Sequence, residues 1–130
     1  MNWRISKMMN DIEKIIKSKY KYKTINNDGM KLLFLDNETI LAIIVNKKNV
    51  FKINRKQFYR IDDELLPYGF LLIDSTQKNM YFMKYTEPNN QLRYAFDSTQ
   101  KDEIYFGKEI LQNKIKLNEL LSNIEKIEKM

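Results

Sequence analysis

The apolar residues Ile5, Met8, Met9, Ile12, Ile15, Ile16 and Tyr20 recur at spacings of three and four, which predicts an amphipathic helix over residues 5–19. The next stretch, Tyr20-Lys21-Tyr22-Lys23-Thr24-Ile25, alternates lysine with aromatic or β-branched residues and ends on Asn26-Asn27-Asp28-Gly29, the pattern of a short edge strand and a loop. Two apolar runs, 30–35 and 40–46, flank Asp36-Asn37-Glu38-Thr39 and predict a β-hairpin. A further strand is expected over 50–53, after a Lys47-Lys48-Asn49 turn.

Asn54 is placed to cap a short helix that carries Phe58, Ile61 and Leu65 on one face and stops at Pro67. The runs 68–73 and 80–85 enclose a polar loop and predict a second hairpin, and 92–96 supplies one more strand. Over 107–129, Ile110, Leu117 and Ile124 stand seven apart, with Leu120 and Ile127 at complementary positions and Asn113 at another. That spacing predicts one long C-terminal helix with a seam of the coiled-coil kind. The fold expected is α+β: an N-terminal helix, a mixed or antiparallel sheet of five or six strands with one intervening helix, and the long C-terminal helix. The 130 residues suit a single domain spanning 1–130.

Composition narrows the chemistry. The chain is 43% hydrophobic with three Gly and two Pro, so it can bury a core. It has no His and no Cys, which excludes imidazole bases, thiolate nucleophiles, disulfides and zinc held by its usual ligands. No catalytic residue, metal ligand or cofactor is expected. The longest apolar run, 40–45, is far short of a membrane span. The first seven residues are broken by charge and do not read as a targeting segment, so a cytoplasmic location without a membrane partner is the expectation.

The net charge of +6 is unevenly placed. Residues 1–60 hold 14 basic and 5 acidic side chains, and residues 61–130 hold 9 basic and 12 acidic ones. A first half at +9 against a second half at −3 argues for a polyanionic partner of the first half. Lys, Ile and Asn are frequent, as AT-rich coding in bacteria, phages and plasmids produces, and part of the lysine belongs to that bias. The candidate nucleic-acid-binding residues are Lys17, Lys19, Tyr20, Lys21, Tyr22 and Lys23, extended by Lys47, Lys48, Lys52, Arg55, Lys56 and Arg60. Strand alternation would place Lys17, Lys19, Lys21 and Lys23 in one stripe, with the tyrosines available to stack on bases. No zinc finger, RNP box, KH loop or Gly-rich phosphate loop accompanies them. Asp62-Asp63-Glu64, on successive helix positions, diverge and read as a solvated face.

The order helix, three or four strands, helix, two strands resembles the core plan of the PD-(D/E)XK nuclease-like family of Holliday-junction resolvases and restriction enzymes. Residues 29–46 look like its central hairpin, and the likeness extends over residues 5–86. The family motif places two carboxylates on Mg²⁺ and a lysine beside the attacking water. Here its positions fall on Met30-Lys31 and Ile44-Val45-Asn46, with Lys31 expected opposite Ile44 across a two-residue tip, so the resemblance implies the fold with its catalytic motif erased.

Three functions follow as expectations. The first is a non-catalytic protein on a degenerate nuclease-like core, holding DNA, RNA or a nucleic-acid-processing partner through its basic half. The second is a small interaction or regulatory protein, such as a mobile-element inhibitor, acting as a homodimer or on a partner through Ile110, Asn113, Leu117, Leu120, Ile124 and Ile127. The third is an atypical metal-dependent nuclease using Asp36, Glu38 and Asp74.

Overall fold

Two apolar runs are long enough to be buried on both faces of a sheet, and they form its centre. The computed structural model describes residues 3–27, 29–46, 51–84, 92–94 and 103–128. In chain order its elements are α1 (Trp3–Lys17), β1 (Tyr22–Asn27), β2 (Met30–Leu35), β3 (Ile40–Asn46), β4 (Lys52–Asn54), α2 (Arg55–Asp62), β5 (Tyr68–Asp74) and β6 (Met80–Lys84). There follow β7 (Leu92–Tyr94), β8 (Glu103–Phe106), β9 (Lys114–Ile115) and α3 (Leu120–Glu128), with 3₁₀ turns at Lys108–Asn113 and Leu117–Glu119. The main sheet has six strands in the order β1-β2-β3-β5-β6-β9. Among the described residues only the β3–β5 pair is parallel, running from Ile40 beside Tyr68 to Asn46 beside Asp74. That pair needs a crossover, which β4 and α2 supply, and burial on both faces explains why neither strand alternates with polar residues.

The fold is therefore α+β, with a mixed six-stranded sheet and an intervening helix. Helices α1 and α3 cover one face through Met9, Ile12, Ile16, Leu120, Ile124 and Ile127, against Leu41, Ile43, Leu71 and Phe82 of the strands. Phe58 and Ile61 of α2 cover the other face, together with a second sheet in the order β4-β8-β7. Asn54 caps α2 as expected, and Gln57 completes a capping box with it: Asn54 Oδ1 accepts from the Gln57 amide at 2.8 Å, and Gln57 Oε1 accepts from the Asn54 amide at 2.9 Å.

The structure corrects four expectations. Strand β1 runs through Asn27, which pairs with Met30 of β2, and Gly29 just ahead of β2 takes φ +86°. The β2–β3 tip has three residues, because Glu38 takes a left-handed φ of 64° and its amide donates to Leu35 O at 3.1 Å. The register moves by one, and Lys31 faces Ile43 while Met30 faces Ile44. Helix α2 ends at Asp62, so Leu65 is 89% exposed instead of lying on an apolar helix face. The long C-terminal helix over 107–129 is replaced by the two 3₁₀ turns, β9 and the nine residues of α3. Ile110 is buried on the α2 side of the sheet, whereas Leu120, Ile124 and Ile127 are buried on the α1 side. Tertiary burial on opposite faces has overridden the seven-residue spacing. The expected strand and turn residues 47–50, 85 and 95–96 lie outside the described residues.

Candidate nucleic-acid interface

The basic residues of the first half do not form one stripe, because the strand begins later than its alternation suggests. Lys17 closes α1, Lys19 lies in the turn after it, and Tyr22 is the first residue of β1. Tyr20 is buried in the core and Lys19 is ion-paired with Glu125 of α3. Tyr22 turns toward α1 and donates its hydroxyl to Glu13 Oε1 at 2.9 Å, while Lys31 Nζ lies 3.0 Å from Glu13 Oε2. Lys17 Nζ stands 5.8 Å from the Tyr22 ring centroid. Burial pushes the Glu13 carboxyl up, but the hydrogen bonds from Lys31 and Tyr22 and the nearby charges of Lys31 and Lys17 outweigh it and hold the group below its ordinary value. Burial and the Glu13 carboxylate together push the Tyr22 phenol up to about 12.

Lys23 belongs to the opposite face of the same strand, paired with Phe34. Arg60 of α2 lies over the Phe34 ring, 5.8 Å from its centroid, and pairs with Glu64. Lys56 and Lys21 are exposed, Arg55 is half-buried, and Lys52 Nζ lies 3.2 Å from Glu103. Hydrogen bonds from Tyr105 and Lys52 hold the Glu103 carboxyl below its ordinary value. Lys47 and Lys48 lie outside the described residues. The expected binding residues are thus divided between the two faces of the sheet, and several already have acidic partners. Of the expected interface residues, Asn113 and Leu117 are half-buried; Ile110, Leu120, Ile124 and Ile127 are buried in the chain's own core.

A different set of lysines does meet in a concave surface. A groove of about 520 Å³ opens where α1, the β5–β6 turn and β9 come together, lined by Lys7, Asp11, Lys78, Lys114 and Lys116 over Met8, Met80, Ile115 and Leu117. The turn that presents Lys78 is organised by buried Asp74, whose Oδ1 accepts from the amides of Thr76 at 2.8 Å and Gln77 at 3.3 Å. Lys78 itself takes φ 59°, and its amide donates to Asp74 O at 2.7 Å. At Lys116 the nearby carboxylate is spent on the backbone: Glu119 Oε1 accepts from the Lys116 amide at 2.7 Å. Among the described residues none of these four lysines is ion-paired, and Asp11 is the one acid in the lining.

A second groove, of about 330 Å³, adjoins the first across β9 and shares Lys114 and Ile115 with it. Its remaining walls are Phe82 and Lys84 of β6, Asn113, and Asn123 and Lys126 of α3. Sequence reasoning missed these lysines because most come singly from a half of the chain whose charge balance is negative. Only the return of β9 to the edge of the sheet gathers them.

Asp36 and Glu38 sit at the β2–β3 tip, whereas Asp74 ends β5 beside Asn46, roughly 23 Å away along β3. These three carboxylates do not converge, and no group of three metal-ligating side chains forms among the described residues. A polar recess of about 250 Å³ between Met30, Asn46, Lys52, Asn54, Gln57 and Glu103 marks the end of the hairpin where the nuclease motif would fall. No helix among the described residues is long and apolar enough to cross a membrane. No protein-family model matches the chain, and no curated protein matches it in sequence.

Proposed function

We propose that the protein is a non-catalytic nucleic-acid-binding module whose phosphate-holding surface is the lysine groove at the β9 edge. The observation that carries this reading is the meeting of Lys7, Lys78, Lys114 and Lys116 on one concave surface with a single acid among the described lining residues. Ammonium groups without acidic partners bind phosphates by releasing condensed counterions, which gives affinity without sequence preference. A groove also focuses the field of its charges more than a convex face does. The order α1, three strands, α2, two strands, with β3 and β5 side by side, supports reading the core as nuclease-like. Met30, Lys31, Ile44, Val45 and Asn46 at the motif positions favour binding over cleavage.

The test is a fluorescence-anisotropy titration with short DNA and RNA at several salt concentrations, with Mg²⁺ present and the probes run on a gel afterwards. Intact probes and an affinity that falls with a log–log slope of about −2 to −4 are expected from three or four phosphate contacts. Absence of salt-dependent binding down to low ionic strength would overturn the reading, and cleaved probes would replace it with a nuclease.

A further inference from the structure

The second groove sets two amides, Asn113 and Asn123, among its lysines, whereas the first has the single amide of Asn79 and the carboxylate of Asp11. We infer that it is a base-recognition subsite, which takes one unstacked base of a single-stranded nucleic acid whose phosphates lie on the lysines. This rests on the nucleic-acid reading above and names the strand form that the site accepts. Phe82 and Ile115 give the groove apolar wall, Asn113 and Asn123 give it amide groups, and Lys84, Lys114 and Lys126 rim it with no acid among the described lining residues. Its volume of about 330 Å³ is at the small end for ligand sites, which suits a single base.

The amide chemistry is directional. Asn123 Nδ2 donates to Glu119 O at 2.8 Å, which fixes the side chain and leaves its carbonyl oxygen as an acceptor. Among the described residues that oxygen receives no hydrogen bond, and Asn113 keeps both a donor and an acceptor. The Watson–Crick edge of every base carries at least one N–H donor, and asparagine is a regular reader of base edges. In a duplex those edges are paired and stacked, so a side groove of this depth is reached only by a base turned out of a single strand. Because Lys114 and Ile115 belong to both grooves, a strand whose phosphates follow Lys7, Lys78 and Lys116 brings its next base to the amides. The first groove then supplies affinity and the second supplies preference for a base over bare backbone.

The experiment compares a labelled single strand, an abasic strand of the same length and the corresponding duplex, on the wild-type protein and on Asn123→Ala and Asn113→Ala. Alanine favours the helix at 123, and thermal melting of both variants checks that the fold is kept. The base-bearing strand is expected to bind about fivefold tighter than the abasic one, the value of one net hydrogen bond. Asn123→Ala should remove that advantage while leaving abasic binding and its salt slope unchanged. Equal wild-type binding of base-bearing and abasic strands, or preference for the duplex, overturns the subsite and leaves the phosphate groove standing. Loss of salt-dependent binding for all three probes overturns both.

Discussion

Ile127 of α3 lies directly over Gly69 of β5: a Cβ built on Gly69 would come within 2.8 Å of Ile127 Cδ1 and 3.0 Å of Phe82 Cζ. The glycine therefore leaves room for the Ile127 side chain of the C-terminal helix and the Phe82 ring to pack onto the sheet at this point. Gly69→Ala should force Ile127 and Phe82 aside and destabilise the protein by about 1–3 kcal/mol. Urea denaturation measures this, and an unchanged midpoint would mean that the contact relaxes freely.

The same helix shows how far a periodic pattern can be trusted. The two hairpins, the capped helix α2 and helix α1 were legible because each buries one face or one run, and local spacing reports that burial directly. Ile110, Leu117 and Ile124 share a seven-residue spacing for another reason. Ile110 fills the α2 side of the sheet, Ile124 fills the α1 side, and β9 passes between them along the sheet edge. Nothing in the local sequence distinguishes that path from a continuous helix, because the pairing of Ile115 with Met80 is long-range.

Leu65 gives a prediction of opposite sign. It holds a left-handed φ of 58° after α2, its amide donates to Asp62 O at 3.1 Å, and its side chain is almost entirely in solvent. An L-residue pays for that conformation and Leu65 recovers little from packing. Leu65→Gly should stabilise the protein by about 0.5–1 kcal/mol, the αL strain relieved less the extra freedom of the unfolded chain. A lower melting temperature for this variant would show that the leucine makes a contact worth more than the strain.

Glu13 and Tyr22 make opposite contributions at the two ends of the pH scale. The Glu13 carboxyl titrates below its ordinary value near 4.5 in the fold, so its stabilisation is complete above that value and is lost as pH falls through the folded value. The Tyr22 phenol is raised from 10.0 to about 12, so its contribution is complete below pH 10 and drains away as pH rises toward 12. Glu13→Gln should weaken the protein by about 1 kcal/mol at neutral pH, given the part-exposed pair with Lys31, and should flatten the acid limb of the stability curve. It should also return the Tyr22 ionisation toward 10, read as the difference in ultraviolet titration between Glu13→Gln and the same protein with Tyr22→Phe.

The site was less legible than the fold, and the reason is physical. Lys17, Lys19, Lys21 and Lys23 are conspicuous because they are adjacent in sequence, but adjacency across a helix end, a turn and a strand start sends them in different directions. Lys7, Lys78, Lys114 and Lys116 are separated by 71, 36 and 2 positions and are brought together by the docking of β9 and by the Asp74-centred turn. A charge count by halves cannot register a cluster drawn from both.

That contrast yields the prediction that separates the two lysine sets. Lys78→Glu and Lys116→Glu reverse charges inside the groove, whereas Lys23→Glu and Lys56→Glu reverse exposed charges on β1 and α2. All four side chains lack ion-pair partners among the described residues, so each substitution should leave the fold intact. If phosphates sit on the groove, each groove variant should reduce the salt slope by about one and weaken binding of every sequence alike, while the distant pair changes both far less. The distinction survives general electrostatics, because all four substitutions alter the net charge by the same amount and differ only in place. Equal losses from both pairs would mean that the field of the whole protein holds the nucleic acid, and a larger loss from Lys23→Glu and Lys56→Glu would move the interface to the α2 side of the sheet.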